Sequence, residues 1–382
     1  MKVLYSTQSV VEFDGHHFYS NAINATYPRY LTLGEKLTVL CHYKKCDIPQ
    51  SDMIPDNVIR FVFINKLNTL KNLLLGHRKI EQVIKEEVYN TDVCVVHMNI
   101  HAPIVVKYAI KYNKPLLSVV GACAWDGYWN YNWKGKLIAP WAFLKIRNAQ
   151  KKIPYSIYVT SSFLQHRYPT NGKWIACSNV NISTNDPDAL TKRLKKIENL
   201  DGGKRIMKVA TSAALNVPYK GQRYVIEAIK QLKDQGIIME YHLIGRGNDN
   251  ALRKKANTCG VADQVFIHGA IPHEKVLDFL DSMDIYVQPS KQEGLPRALI
   301  EAMSRGCLCL GSNIAGIPEL LESPYLFAKG KSNKIAEILK NVTINDLRIQ
   351  AKRNIEVARE YDKDLLDDKR RKFILMFKNS LI

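Results

Sequence analysis

Short apolar segments alternate with helical segments along most of the chain, and this alternation constrains the fold more than any other feature. In the first half, the segments that suit buried strands are residues 2–7, 37–42, 60–64, 93–97, 116–120, 157–160 and 174–177. The second half repeats the pattern with residues 206–211, 241–244, 264–268, 284–287, 307–310 and 325–328. Strands and helices alternating at this interval predict two α/β domains of the Rossmann-like, doubly wound type, facing a cleft.

The boundary between the two series is the polar stretch NISTNDPDALTKRLKKIENLDGGK at residues 181–204. Its charge and turn residues predict an interdomain linker. It separates an N-terminal domain of residues 1–180 from a C-terminal domain of residues 205–360. The tail has apolar residues at helical spacing, and we expect it to form an amphipathic surface helix.

The formal net charge of +19 is distributed unevenly. Between residues 101 and 180 there are eleven Lys and Arg residues and one acidic residue, Asp126. Such a field favours anionic partners: nucleic acid, phospholipid or phosphorylated substrates. Nucleic acid is the least supported, because no helix-turn-helix, zinc-finger or RNP-like pattern accompanies the charge.

The chain has no stretch of about 20 apolar residues that could span a bilayer. Its start, MKVLYSTQSVVEFDG, has the pattern of a first strand and not of a signal peptide. Eight cysteines are scattered, several within apolar segments, as in proteins of a reducing compartment. The spacing of Cys307 and Cys309 does not suit zinc, so no metal site is expected. These features indicate a cytoplasmic protein.

Residues 289–321, PSKQEGLPRALIEAMSRGCLCLGSNIAGIPELL, predict a turn, a helix at 297–305 and a strand at 307–310. Free backbone N–H groups at such a turn favour an anion, for example a diphosphate. Glu293 and Glu301 flank the helix start. Carboxylates there suit the hydroxyls of a nucleotide sugar, although Glu301 could also form an ordinary surface pair with Arg297.

The two glutamates, separated by seven residues and followed by GIPE at 316–319, resemble the signature of the retaining glycosyltransferases with the GT-B fold, called family 4 or group 1. The resemblance implies a nucleotide-sugar donor linked to UDP or GDP. It implies no cofactor and no metal. It also implies that a C-terminal helix at 361–382 crosses back to cover the first domain.

The same resemblance implies roles for individual residues around the donor. Lys220 would hold the diphosphate, Glu293 the sugar hydroxyls and Glu301 the ribose hydroxyls. Backbone N–H groups near Gly294 and Leu295 would stabilise the leaving group. The remaining expected donor contacts are Pro296, Asn216 and, in the segment near the base, Ile271.

The sequence departs from the family pattern at three places. An arginine often found five residues before the lysine is replaced by Leu215, so either one cation suffices or Asn216, Arg223 or Arg297 supplies the contact. The loop after the first strand keeps Gly15 but has His16 at the usual second glycine. No histidine follows residues 116–120, which leaves the carboxylate of Asp126 as the candidate for an acceptor or donor hydroxyl.

Residues 125–141 hold four of the five tryptophans, interleaved with lysines. This composition is typical of a membrane-interface surface, and a core face with solvated lysines is the alternative. A second basic candidate is the helix around Lys71, Leu73, Leu74, Leu75, Arg78, Lys79 and Lys85. The first of these interpretations predicts peripheral contact with an anionic membrane, on the inner face of the plasma membrane.

The predicted function is a retaining glycosyltransferase of cell-surface polysaccharide synthesis, for example of capsule, acting on a glycan or a polyprenyl-diphosphate-linked acceptor. Two alternatives keep the fold. One is a GT-B nucleotide-sugar epimerase, which needs no acceptor. The other is a non-catalytic GT-B-like binding or assembly subunit, against which the presence of Glu293, Glu301 and Lys220 argues.

Overall fold

The computed structural model describes residues 1–49, 51–55, 59–64, 77–184, 186–200 and 206–381. The chain divides into two compact units, one formed by Met1–Cys177 with Asp367–Ile382 and the other by Ser178–Leu366. Each unit contains its own parallel sheet with helices between the strands. The predicted α/β fold with two Rossmann-like sheets is confirmed.

The first unit is built on a sheet with eight strands among the described residues. They are β1 Lys2–Phe13, β2 Phe18–Tyr19, β3 Lys36–Lys45, β4 Ile59–Phe63, β5 Val93–His97, β6 Leu116–Val120, β7 Tyr155–Tyr158 and β8 Lys173–Ala176. Their order is β4-β3-β1-β5-β6-β7-β8, and β2 pairs with β1. Only the β1–β2 pairing is antiparallel among them. β1 is longer than predicted because it continues past a bulge between Ser6 and Val10.

Helices connect these strands and cover the sheet. They are α1 Asn21–Asn24, α2 Tyr27–Leu31, α3 His77–Tyr89, α4 Ala102–Lys111, α5 Ala124–Trp129, α6 Trp133–Gln150 and α7 Phe163–Arg167. The strands β5 and β6 are apolar on both faces, as expected of parallel strands covered by helices on both sides. Leu4, Leu40, Val96, Val105 and Ile84 belong to one buried cluster between sheet and helices.

The second unit is built on a sheet with six strands among the described residues. They are β9 Met207–Ser212, β10 Met239–Ile244, β11 Val265–Gly269, β12 Ile285–Gln288, β13 Leu308–Ser312 and β14 Leu326–Phe327. Every pairing is parallel, in the order β11-β10-β9-β12-β13-β14. The helices are α8 Ala189–Glu198, α9 Gln222–Lys233, α10 Asn250–Thr258, α11 Val276–Ser282, α12 Arg297–Ser304, α13 Ser332–Asn341 and α14 Ile344–Arg359.

The stretch predicted as a linker at 181–204 contains a helix that belongs to the second unit. α8 buries Arg193, which is only 3% exposed. Its guanidinium donates to the backbone carbonyls of Leu280, Met283 and Arg305. A buried guanidinium that donates to three backbone carbonyls holds α8 in the fold of the second unit. The prediction that this part of residues 181–204 is a linker was therefore wrong. Residues 185 and 201–204 of it lie outside the described residues.

The C-terminal tail forms two helices, where its spacing predicted one long amphipathic run. α14 ends at Arg359, and α15 spans Lys363–Asn379. Between them the Asp362 carboxylate accepts from the backbone N–H and the hydroxyl of Thr184, both at 2.9 Å. α15 then packs on the first unit, where Phe373 and Phe377 are buried and contact Tyr155.

Within the described part of the chain, no helix combines the length and the apolar character needed to cross a bilayer. The eight cysteines are free thiols, and six of them are buried. No group of three or more His, Cys, Asp or Glu side chains suited to a metal ion occurs among the described residues. Of the second basic candidate, Lys71 and Leu73 to Leu75 lie outside them.

Candidate functional site

The strand order of the second sheet reverses between β9 and β12, because β10 and β11 lie on one side of this pair and β13 and β14 on the other. In open parallel sheets, ligands bind outside the carboxyl ends of the strands at such a reversal. The loop after β9 carries Lys220, and the loop after β12 carries Glu293. The two predicted catalytic residues therefore come from the two loops that border the reversal.

These two loops are held directly against each other. The backbone N–H of Lys291 donates to the carbonyl of Tyr219 at 2.7 Å. Gly221 has a φ of 79°, and a Cβ there would lie 2.0 Å from the carbonyl oxygen of Pro289. Glycine is required at this position by both the conformation and the space. The approach places Lys220 beside the β12 loop.

The loop after β9 is also tied to the loop after β10. The backbone N–H of Ala213 donates to the carbonyl of Ile244 at 3.0 Å, and that of Leu215 donates to the carbonyl of Arg246 at 2.8 Å. The Leu215 side chain is 4% exposed and belongs to the core of the unit. Leu215 therefore does not supply a ligand contact in place of the arginine that the family pattern often has at this position. Asn216 is exposed and lies against Gly247, where a Cβ would meet its side-chain oxygen at 2.3 Å.

Lys220 and Glu293 form an ion pair at the carboxyl end of the sheet. Lys220 Nζ lies 2.7 Å from Glu293 Oε1, and the two side chains are 24% and 11% exposed. The same oxygen accepts from Ser290 Oγ at 2.7 Å and from Gln288 Nε2 at 3.1 Å. A partly buried pair is screened by salt less than a surface pair. Glu293 is thus fixed by three donors, one at the end of β12 and one from each of the two loops.

A chain of hydrogen bonds continues from this carboxylate into the sheet. Gln288 Oε1 accepts from the phenol of Tyr286 at 3.0 Å, and that phenol oxygen accepts from the N–H of Ser212 at 3.3 Å. Burial raises the pKa of Tyr286 well above its ordinary value, so the phenol keeps its proton. Gln288 and Ser290 were not among the site residues predicted from the sequence. The sequence did contain a signal for them, because these polar residues stand at the end of the otherwise apolar strand β12 and just after it.

Glu301 lies in the second turn of α12. Burial raises the pKa of Glu301, and the electrostatic influence of His273 and Arg297 acts in the opposite direction. Pro296 is the N-cap of this helix and has no side-chain group to bond the first N–H groups. The helix start is therefore open for an acceptor such as a phosphate oxygen. Ile271 is partly buried and lies two residues before His273.

The GIPE segment supports the turn that precedes α12. The N–H of Gly316 donates to the carbonyl of Gly294 at 2.9 Å. Ile317–Glu319 form a short 3-10 turn, whose Ile317 is fully buried. Leu295, next to Gly294, is 8% exposed. The second half of the motif thus contributes packing and backbone contacts that fix the turn.

In the first unit, the loop after β1 is organised by Asp14. Its carboxylate accepts from the N–H groups of His17 and His16, each at 2.8 Å, and from the hydroxyl of Tyr19 at 2.7 Å. These bonds, led by that from His17, hold the pKa of Asp14 well below its usual range. Gly15 adopts a φ of 110°, and both it and His16 are exposed.

Asp126 lies in the first turn of α5, where it faces a cation of its own unit. Its Oδ1 is 4.0 Å from Arg167 Nη2. Arg167 in turn lies over the ring of Phe143, 4.9 Å from the ring centre. Asp126 therefore has a structural partner besides the acceptor contact predicted for it. The structure brings Lys220 and Glu293 into contact within the second unit, whereas Gly15, His16 and Asp126 belong to the first.

Residues 191–361 match the family model described as glycosyl transferases group 1. The matched range includes both loops of the β9–β12 reversal, α12 and the GIPE turn. This part, just under half of the chain, is therefore similar to the group 1 glycosyltransferases, and the resemblance found in the sequence is confirmed.

Two bacterial relatives extend this finding. Protein CapJ of Staphylococcus aureus is 28% identical over 348 residues, which cover 89% of this chain and 85% of CapJ. The amylovoran biosynthesis glycosyltransferase AmsK of Erwinia amylovora is 39% identical over 130 residues, which cover 31% of this chain and 32% of AmsK.

Solved structures share the fold over the full length. The crystal structure of Anabaena Alr3699/HepE in complex with UDP and glucose has a TM-score of 0.65 at 15% identity, covering 100% of both chains. Sucrose-phosphate synthase from Thermosynechococcus elongatus has a TM-score of 0.70 at 12% identity, covering 99% of both chains. At these identities, the likeness concerns the fold.

Proposed function

We propose that this protein is a retaining glycosyltransferase that moves a sugar from a nucleotide-diphosphate donor to a glycan or lipid-linked acceptor in the synthesis of a cell-surface polysaccharide. The observation that carries the proposal is the Lys220–Glu293 pair at the strand reversal of a group 1 glycosyltransferase fold. The name of AmsK and the UDP and glucose bound by HepE support the pathway and the donor class.

The donor would bind at the carboxyl edge of the second sheet. Its diphosphate would accept from Lys220 and from the backbone N–H groups of Gly294 and Leu295, at the open start of α12. Glu301 would accept from the ribose hydroxyls. Backbone groups near Ile271 would contact the base, and Pro296 and the exposed Asn216 would border the bound donor.

Glu293 would accept from hydroxyls of the transferred sugar and so orient its anomeric carbon. The bond from that carbon to the diphosphate oxygen breaks, and Lys220 stabilises the charge that builds on the leaving group. The acceptor oxygen then bonds to the anomeric carbon on the face that the leaving group vacates, which retains the configuration. A diphosphate oxygen takes the acceptor proton. This proposal requires no metal, because Lys220 and the backbone N–H groups supply the positive charge.

Lys220 has two anionic partners in this scheme. In the free protein it neutralises Glu293, which Ser290 and Gln288 also hold. A bound diphosphate would compete for the same ammonium group. Since Ser290 and Gln288 would still donate to Glu293, its position would survive the partial transfer of Lys220 to the donor.

The acceptor side is proposed to be the first unit. The basic field of residues 101–180 would attract a polyprenyl-diphosphate-linked or other anionic acceptor. Gly15 and His16 would border the acceptor or a phosphate, and Asp126 would accept from a hydroxyl if it is released from Arg167. A lipid-linked acceptor would place the protein in the cytoplasm, on the inner face of the plasma membrane.

A thermal-shift screen against UDP- and GDP-sugars tests the proposal. A ligand at about 100 times its dissociation constant adds about 2.7 kcal/mol to the free energy of unfolding, so the true donor should raise the melting temperature by several degrees. No shift with any nucleotide sugar would contradict the proposal. A rearranged sugar nucleotide without acceptor would indicate an epimerase, and binding without turnover would indicate a non-catalytic subunit.

A further inference from the structure

The outward side of α6 exposes large apolar side chains. Trp133 is 69% exposed, Leu137 73%, Trp141 40% and Leu144 55%. Their spacing of four, four and three residues places them on one side of a helix. With Pro140, which is also exposed, they fall within an arc of roughly 100° when each residue advances by about 100°. We call this stripe and the lysines beside it the α6 face.

Lysines border the stripe on both sides. By the same helical geometry, Lys136 falls on one flank and Lys134 and Lys145 on the other. Lys145 Nζ lies 4.3 Å from the ring centre of Trp141, and Lys134 Nζ lies 5.5 Å from that of Trp133. An apolar stripe between cationic flanks is the pattern of helices that lie in a membrane interface.

The alternative of a core-facing aromatic surface does not fit this helix. The side of α6 that packs on the first unit includes Ala139, Ala142, Ile146 and Ala149, all at most 7% exposed. The tryptophans and leucines point the other way. The helix is therefore fixed to its unit by small side chains and displays its large ones.

The sequence around the α6 face contains no negative charge. From residue 127 to residue 185 there is no Asp or Glu. The nearest acid before this range, Asp126, is paired with Arg167. A surface of this composition attracts anions and would repel a second copy of itself, because the lysines of the two copies would meet.

We propose that the α6 face docks on a bilayer that carries anionic lipid headgroups, with α6 parallel to the membrane plane. Trp133, Leu137, Trp141 and Leu144 enter the boundary between headgroups and acyl chains, and the three lysines contact lipid phosphates. This defines the surface for the peripheral contact included in the proposed function. The docking itself does not depend on any transfer reaction.

Vesicle co-sedimentation of the full chain tests the proposal. Vesicles of phosphatidylglycerol mixed with phosphatidylcholine should bind the protein, and vesicles of phosphatidylcholine alone should bind it at least about tenfold less. Replacing Leu137, Trp141 and Leu144 by Ser should weaken binding by at least about tenfold. Replacing Lys134, Lys136 and Lys145 by Gln should weaken it similarly and reduce its dependence on salt.

Matched controls remove equally exposed groups elsewhere. Ile238, Ile349 and Leu365 are 46%, 52% and 54% exposed, and their replacement by Ser should leave vesicle binding unchanged. The exposed Lys254, Lys352 and Lys363 serve as charge controls when replaced by Gln. Equal loss in a control and in its α6 counterpart would overturn the proposal, because net charge or general apolarity would then explain binding.

Two further results would overturn it. One is anionic-vesicle binding by the α6 variants at the wild-type level, with melting temperatures unchanged. The other is sedimentation of the wild-type protein as a dimer that the α6 substitutions dissociate, without binding to vesicles. Neither measurement requires a nucleotide sugar, so failure of the docking proposal remains distinct from failure of the proposed transferase function.

Discussion

The carboxyl edge of the second sheet and the α6 face are both rich in side chains that could act on a ligand, but they are built in opposite ways. At the edge, Lys220, Glu293, Ser290 and Gln288 bond to one another and are largely buried. On the α6 face, the tryptophans and lysines are exposed to solvent. The first arrangement fixes atoms in place, whereas the second offers an area.

The difference matches the ligand that we propose for each region. A donor with a defined shape requires groups held within fractions of an ångström, and a network of hydrogen bonds provides this. A bilayer has no fixed shape and is met by apolar area and charge. The edge lies within the residues that match the family, and the α6 face lies outside them. The family match therefore covers the proposed donor site and does not cover the proposed membrane surface.

The largest effect is expected from Glu293→Ala. Loss of the carboxylate that orients the sugar should lower kcat for transfer by about a thousandfold, equivalent to about 4 kcal/mol in the barrier. The dissociation constant of the free nucleotide should change by less than about fivefold, because the nucleotide is held elsewhere. Turnover and calorimetric titration measure the two. Wild-type transfer by this variant would refute the proposed site, and Glu293→Gln controls for shape.

Lys220→Ala should act on both quantities. Removing the ammonium group weakens diphosphate binding and transition-state stabilisation together, and we expect a loss of about a hundredfold in kcat/KM with a clear rise in the dissociation constant. Lys230→Ala, an exposed lysine on α9 paired with Asp234, is the matched control. If Lys220→Ala affected turnover alone, its assignment to the diphosphate would be wrong.

Gln288→Leu should have an intermediate effect. The side chain donates to Glu293 from a position that is 2% exposed, so its loss frees the carboxylate to move. We expect kcat to fall about tenfold with little change in KM. Gln288→Glu tests the same position with a repulsive charge and should be worse. A purely structural role would instead lower the melting temperature and leave kcat intact.

Acidification should weaken donor binding through Glu301. Burial raises the pKa of this carboxyl, so it becomes protonated at a higher pH than an ordinary glutamate and then accepts fewer hydrogen bonds from ribose. The donor dissociation constant should therefore rise as the pH falls toward the raised pKa. Titrations across this range with wild type and Glu301→Gln give the test, and a persistent pH dependence in the variant would point to another group.

The smallest effect is expected from Leu137→Ser on the α6 face. This residue is 73% exposed, so the free energy of unfolding should change by less than about 0.5 kcal/mol. Ile146→Ser, on the opposite side of the same helix and 2% exposed, should cost about 3 kcal/mol. Denaturant unfolding compares them. Equal costs would show that the α6 face is covered in solution.

The sequence predicted the parts of the fold that depend on local pattern. Strands β5, β6 and β12 and the helix α12 follow from apolar spacing. The predicted doubly wound type implies a reversal of strand order, and the structure places it between β9 and β12. Because strand ends locate loops, Lys220 and Glu293 could be predicted to lie near each other. The Rossmann-like sheets could be predicted without knowledge of side-chain contacts.

The parts that sequence could not supply depend on contacts between distant residues. Arg193 stands in a charged stretch of sequence, which is typical of solvent-exposed residues. Its guanidinium nevertheless donates hydrogen bonds to backbone carbonyls about 90 or more positions away. Asp126 was a candidate site residue because it stands alone in sequence, whereas Arg167 partners it in space. Gln288 and Ser290 have a positioning role only because both donate hydrogen bonds to Glu293, which the sequence does not show.

The helix α15 has a consequence for the order in which the chain folds. The unit boundary at Leu366 and Asp367 falls inside this single helix, and Phe373 and Phe377 complete the core of the unit that begins at Met1. During synthesis, all residues of the second unit are made before the last segment of the first unit, Asp367–Ile382. The N-terminal unit therefore cannot complete its core until α15 has been made, and a truncation that spares both sheets but removes α15 would leave the earlier-made unit unfinished.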